Sequence, residues 1–172
     1  MTETMETRYF VSIGSNIKPT MNILLILQAL LQKMQIVSIS RIMATPAVDM
    51  LDNTQAFYNL VAAFDSHMNS AELKSWLIDI EIQLGRDRDH PLSKMLGRPA
   101  DIDEIMAIKA PIEINKAELP PEPHVRPMLV ELLNYLKLAS LPAEGLTAGI
   151  GIQFHDQRIG TQPITLRNRP AE

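Results

Sequence analysis

The chain has 172 residues, no cysteine, a hydrophobic fraction of 46%, a charged fraction of 21% and a formal net charge of −4. That length suits one domain, 1–172, able to bury a core without staples, and the missing cysteine excludes disulfides, zinc–thiolate centres and thiol nucleophiles. The acidic balance speaks against a nucleic-acid partner, and no apolar run approaches the ~18–20 residues of a membrane span.

The opening MTETMETRYF lacks the apolar region of a signal peptide, so a cytoplasmic location is expected. Arg8 to Ile13, rich in aromatic and β-branched residues, predicts a first strand, broken by Gly14, Ser15 and Asn16. Pro19 and Thr20 introduce a helix, Met21 to Met34, apolar on most faces and suited to packing on a sheet. Val37 to Ala44 predicts a second strand, stopped by Thr45-Pro46, and Phe57 to Phe64 a third. Asn69 with Glu72 three positions on has the form of a capping box. Leu73, Trp76, Leu77, Ile80 and Leu84 then keep helical period, with Gly85 at the C-cap.

From Arg86 to Arg98 the chain is charged and without apolar periodicity, which predicts a long loop of the kind that carries function. Ile102 to Ile108 predicts a fourth strand. A proline-rich stretch, LPPEPHVRP, precedes a third helix from Met128 to Leu138, and Leu146 to Leu166 reads as a hairpin. The order strand–helix–strand–strand–helix–strand predicts an α+β fold of the ferredoxin-like, split βαβ kind. Such a fold has a mainly antiparallel sheet with helices packed on one face.

The residues with chemistry concentrate between positions 86 and 126. Asp101 and Asp103 alternate on a strand, so their carboxylates share a face about 6.5–7 Å apart. Such a pair can hold Mg²⁺ on a triphosphate; a solvated strand edge shows the same D-x-D pattern. Arg86, Arg88 and Arg98 flank the loop before it, and an arginine's planar fork suits phosphate. Asp87 and Asp89 partly neutralise that loop, which favours a plain solvated role for Arg88. His124 and Arg126 stand in the stiff proline-rich segment, where they can face phosphate oxygens or simply solvent. His67, His90 and His155 read as surface residues. There is no Walker A motif, no G-x-G-x-x-G and no nucleophile elbow, so a nucleotide site here must be built from scattered side chains and metal.

Taken in order, these pieces resemble the hydroxymethyl-dihydropterin pyrophosphokinase family. The resemblance rests on YFVSIGSN closing on Gly14-Ser15-Asn16, the turn Thr45-Pro46, and Phe57-Tyr58-Asn59. It continues through Glu81 to Gly85 with Arg86 and Arg88, Arg98 with Asp101 and Asp103, and Pro123-His124 with Arg126 beyond. It covers a core of 8–138 and leaves 139–172 as an unmatched C-terminal extension.

The resemblance implies a cytoplasmic enzyme moving pyrophosphate from ATP to the hydroxymethyl group of 6-hydroxymethyl-dihydropterin in folate biosynthesis, releasing AMP. It assigns two Mg²⁺ ions to Asp101 and Asp103, and phosphate contacts and transfer to Arg86 and Arg98. It assigns ATP contacts to Arg88, His124 and Arg126. It places the pterin against Phe57 and Asn59, with Thr45, Pro46 and Val48 completing the pocket and Met128 on the opposite side.

The chain departs from the family at Lys94-Met95-Leu96-Gly97-Arg98, where R-W-G-P-R is usual, and at Met128, where a second stacking aromatic is expected. A second reading therefore stands beside the first: a catalytically weak or inactive paralogue that binds pterin or nucleotide, or a pyrophosphokinase for another alcohol.

Overall fold

A computed structural model of the chain describes residues 6–46, 56–93, 96–109, 114 and 119–169. Its elements in chain order are β1 (Thr7–Ser15), α1 (Pro19–Met34), β2 (Ile36–Ile39), β3 (Met43–Thr45), β4 (Phe57–Ser66), α2 (Ser70–Gln83) and β5 (Asp101–Ile108). There follow α3 (Arg126–Tyr135), β6 (Ile152–Phe154), β7 (Gln157–Ile159) and β8 (Ile164–Arg167). The main sheet runs β5-β1-β4-β2-β8 with β3 alongside β4, and its pairings are antiparallel. The βαββαβ order and the central β5-β1-β4-β2 arrangement are those of a ferredoxin-like α+β fold.

Local chemistry sets the helix ends. Pro19 opens α1, where its missing N–H is no loss. At α2 the Asn69 side chain accepts from the Glu72 N–H while the Glu72 carboxylate accepts from the Asn69 N–H, a complete capping box. Beyond its C-terminus Gly85 turns at φ +98°, a left-handed conformation that a Cβ would strain.

Alternation along β1 divides the molecule. Tyr9, Val11 and Ile13 face one core, with Leu60, Ala62 and Phe64 of β4, Ile23, Ile26, Leu27 and Leu30 of α1, and Leu73, Leu77 and Ile80 of α2. Phe10 faces the other way, into a second core with Val61 and Ala63 of β4, Met43 of β3 and Met128, Leu129, Leu132 and Leu133 of α3. The two helices of the βαββαβ core share the first face, as the element order predicts, and α3 lies on the other. β1 and β4 are apolar on both sides, so each face needs its own cover, and α3 supplies the second.

The single strand predicted over Val37 to Ala44 is two strands. At Ser40 the ladder to β4 continues through a side chain: the Ser40 N–H donates to the Val61 carbonyl, and the Val61 N–H donates to Ser40 Oγ. Arg41 is drawn out of line by Glu131 of α3, which accepts from its N–H at 3.0 Å and its Nε at 2.8 Å.

The tail forms the predicted hairpin, β6–β7, and then adds β8 to the main sheet beside β2. Ile152, Phe154, Ile159 and Leu166 are buried in the same core as α1 and α2.

Candidate active site

The register of three strands lays out the site. Asp101 of β5 pairs with Gly14 of β1, Gly14 pairs with Asn59 of β4, and Asn59 pairs with Met43 of β3. Directly opposed residues share a face, here the face that α3 covers further along. One step in, Asp103 pairs with Ser12. Strands stand about 4.8 Å apart, so Asp101 and Asn59 flank a floor whose middle residue has no side chain. A Cβ on Gly14 would meet Asn59 Oδ1 at 2.8 Å, so only glycine leaves the Asn59 amide its place.

Asn59 is buried and its Nδ2 donates to Thr45 Oγ1 at 2.5 Å, which fixes the orientation of the amide edge. Phe57, half-buried, lies opposite Thr45 in the β3–β4 pairing. Pro46 follows Thr45 at the exposed end of β3, while Val48 lies outside the described residues. Phe57, Asn59, Thr45 and the Asp101 row thus occupy one end of one sheet face.

A buried carboxylate organises the charged half. Glu81 of α2 is fully buried and accepts from Arg86 Nη1 at 2.5 Å, from Arg88 Nη2 at 2.7 Å and from the Ile102 N–H at 3.2 Å. Arg86 Nη1 also donates to the Ala100 carbonyl and to Asp101 Oδ1, at 3.1 and 2.9 Å. Arg98 Nη1 donates to Asp101 Oδ2 at 3.0 Å. Asp101 therefore holds one arginine on each oxygen.

The two aspartates titrate in opposite directions. Burial alone would raise Asp101, but the charges and hydrogen bonds of Arg86, with the charge of Arg98, hold it below the usual carboxylate range. Asp103 is pushed up to about 6 by desolvation first, then by the negative charge of Asp101 and more distantly of Glu81. Burial also works against the Arg88 cation, yet its hydrogen bond to and attraction by Glu81 leave its pKa raised.

Two cavities border this cluster. One of about 450 Å³ lies between α2 and β5, with Ala71, Leu77, Ile78 and Ile102 as apolar wall and Ser70, Lys74, Arg88 and Asp103 at its polar parts. The other, about 460 Å³, lies between the start of α1 and the loop after α2, and reaches Arg86 and Arg98 from the far side. No cluster of three or more His, Asp or Glu able to hold a metal occurs among the described residues. A pair of carboxylates on one strand face is nonetheless a fit for Mg²⁺, which keeps several waters and substrate oxygens in its shell.

The remaining candidates lie in α3 and the turn before it. His124 is exposed in the turn before α3. Arg126, the first residue of α3, lines a separate apolar cavity of about 330 Å³ with Pro121, Pro127, Val130 and Leu141. Met128 is 1% exposed and packs inside the second core. Glu81 was legible in sequence only as part of the run to Gly85; the available signal was a carboxylate on the apolar side of α2, next to Ile80.

No described helix is long and apolar enough to cross a membrane. No curated protein matches the chain. The family model for 7,8-dihydro-6-hydroxymethylpterin-pyrophosphokinase (HPPK) matches residues 10–134, and the chain belongs to that family of ATP- and Mg²⁺-using pyrophosphokinases of folate biosynthesis.

Proposed function

We propose that this chain transfers pyrophosphate from ATP to the hydroxymethyl oxygen of 6-hydroxymethyl-dihydropterin. The hydroxyl oxygen bonds to the β-phosphorus, the bond from that phosphorus to the α–β bridging oxygen breaks, AMP leaves, and the hydroxyl proton is released. The observation that carries this reading is the row Asp101–Gly14–Asn59, which sets a carboxylate flanked by two arginines across a bare glycine from a fixed amide and an aromatic ring.

In this reading Asn59 hydrogen-bonds the pterin edge, Phe57 covers one face of the ring, and Thr45 and Pro46 with Val48 close the pocket. Asp101 and Asp103 hold two Mg²⁺ ions on the triphosphate. When bound, the metal neutralises phosphate charge as the pyrophosphoryl group moves. Arg86 and Arg98 lie beside the carboxylate pair and stabilise charge on the transferring phosphates. The cavity beside Asp103 takes the nucleotide base between Ala71, Ile78 and Ile102. Arg88 at its edge exchanges Glu81 for phosphate.

A second reading is favoured by where three residues lie. Met128 is inside the core, Arg126 lines another cavity, and Arg88 rests on Glu81. With a buried methionine and no ring at position 128, a stack worth ~0.5–1.5 kcal/mol is lost there. A weak or inactive pterin- or nucleotide-binding protein, or an enzyme for another alcohol, has the same framework.

AMP release from ATP and Mg²⁺, with and without hydroxymethyl-dihydropterin, separates these. Pterin-dependent AMP is expected. Binding of ATP or pterin by calorimetry with no AMP would replace this reading with the binding protein or the enzyme for another alcohol.

A further inference from the structure

The turn Gly14-Ser15-Asn16 ends the first strand, and the site uses only its glycine. Asn16 is 1% exposed, and it holds Arg98 twice: its N–H donates to the Arg98 carbonyl at 3.0 Å, and its Oδ1 accepts from the Arg98 N–H at 2.6 Å. Both bonds are to one residue, so they constrain the backbone on either side of its Cα. Two residues earlier in the turn, Gly14 pairs with Asp101. The segment from Arg98 to Asp101 is therefore tied at both ends to one turn, and across it Arg98 Nη1 meets Asp101 Oδ2 at 3.0 Å.

Ser15 is fully buried, and its Oγ donates to the Ile17 carbonyl, so the turn is itself held locally. The Nδ2 of Asn16 is buried with no hydrogen-bond partner among the described residues. An apolar side chain of the same size would remove that unmet donor, but it would also remove the acceptor that the Arg98 N–H uses. What the position uses is the acceptor oxygen.

We propose that Asn16 is a positioning residue for Arg98, setting through the Arg98 backbone the angle at which its guanidinium meets Asp101 and the phosphates. This rests on the pyrophosphokinase reading above, in which Arg98 faces phosphate. Asn16 touches no reacting atom in it; it acts through Arg98 alone, across 82 residues of sequence.

Four proteins test it: wild type, Asn16→Leu, Arg98→Ala and the double variant. Three quantities are read: amide exchange at position 98, affinity for Mg²⁺ with the non-hydrolysable analogue α,β-methylene-ATP, and kcat for AMP release. In Asn16→Leu the Arg98 amide is expected to lose protection. Analogue affinity or kcat should fall about 10–100-fold, the usual range for removing a supporting contact.

In the Arg98→Ala background the same substitution should cost less than about 2-fold, because no guanidinium is left to misplace. Losses that multiply across the two backgrounds overturn the proposal, as does an unprotected amide with unchanged affinity and rate. If Asn16→Leu does not fold, Asn16→Ala, which lets water reach the Arg98 N–H, takes its place. Failure of both to fold assigns Asn16 to the fold alone and overturns the proposal. A wild type that binds the analogue but releases no AMP sinks the transferase reading, and the latch is then judged on affinity. A wild type that does neither sinks both.

Discussion

Asp101 and Asp103 share one strand face but not one electrostatic environment: Asp101 is held ionised by Arg86 and Arg98, and Asp103 is pushed up to about 6. The ionised Asp101 is itself a main cause of the rise at Asp103, after desolvation. Asp103 therefore carries unfavourable charge when ionised, which a bound cation would relieve.

Asp103→Asn tests that. The folded state binds the Asp103 proton more tightly than the unfolded chain, whose value is the usual 3.8. Ionised Asp103 thus destabilises the fold fully at pH 8, and the penalty fades as pH falls through about 6 towards 3.8. The amide cannot ionise, so the variant should unfold about 2–4 °C higher at pH 8, equivalent to ~1 kcal/mol after solvent screening. The gain should vanish near pH 4, while Mg²⁺-dependent nucleotide binding is lost at every pH. A melting point unchanged at pH 8 would mean that Asp103 is not under charge strain.

Asp101→Ala is expected to abolish Mg·ATP-dependent turnover and leave the fold intact. Arg86 keeps Glu81 and the Ala100 carbonyl as partners, and the Arg98 side chain is 23% exposed, so water can replace Asp101 at its guanidinium. Unchanged turnover in a folded variant would remove the metal assignment from this residue.

Glu81 is expected to behave in the opposite way, as a fold determinant first. Its carboxylate is fully buried and takes hydrogen bonds from two guanidinium groups and a β5 amide. Removing one side of a buried ion pair typically costs about 3–5 kcal/mol, since the partner charges are left unpaired. Glu81→Ala should lower the urea midpoint accordingly, with a smaller loss for Glu81→Leu in an Arg88→Met background. Equal losses in the two would show that Arg88 is not part of what Glu81 holds.

What was legible in the sequence follows the range of the signal. The strand Arg8–Ile13, the Asn69–Glu72 capping box, the turn at Gly85 and the shared face of Asp101 and Asp103 are local, and periodicity or spacing of a few residues reports them. The break at Ser40 depends on the Val61 N–H donating to a side chain in the ladder, and the displacement of Arg41 on Glu131, 90 residues away. The role of Glu81 depends on arginines five and seven residues on that could as well have faced solvent. The placement of α3 on the second face depends on the apolar alternation of β1 and β4 being read together. For Arg126 and Met128 the sequence offers motif position alone, and packing of α3 decides where they lie.

The C-terminal segment gives the last prediction. It lies beyond the matched residues 10–134, yet β8 completes the sheet, with Val37 opposite Leu166 and Ile39 opposite Ile164. Leu166 is fully buried against the same core as α1, and Ile152, Phe154 and Ile159 join it. The Ile42 N–H donates to the Gly160 carbonyl and the Ile150 N–H to the Ile42 carbonyl, so the tail also closes the gap between β2 and β3. Leu166→Ala should cost about 2–5 kcal/mol, as for other buried leucines. Ending the chain at Leu138 should expose one edge of β2 and remove four core side chains at once, and abolish cooperative unfolding. A truncated chain that still melts cooperatively at the full-length midpoint would show that the tail is a passive cover and that residues up to Leu138 fold without it.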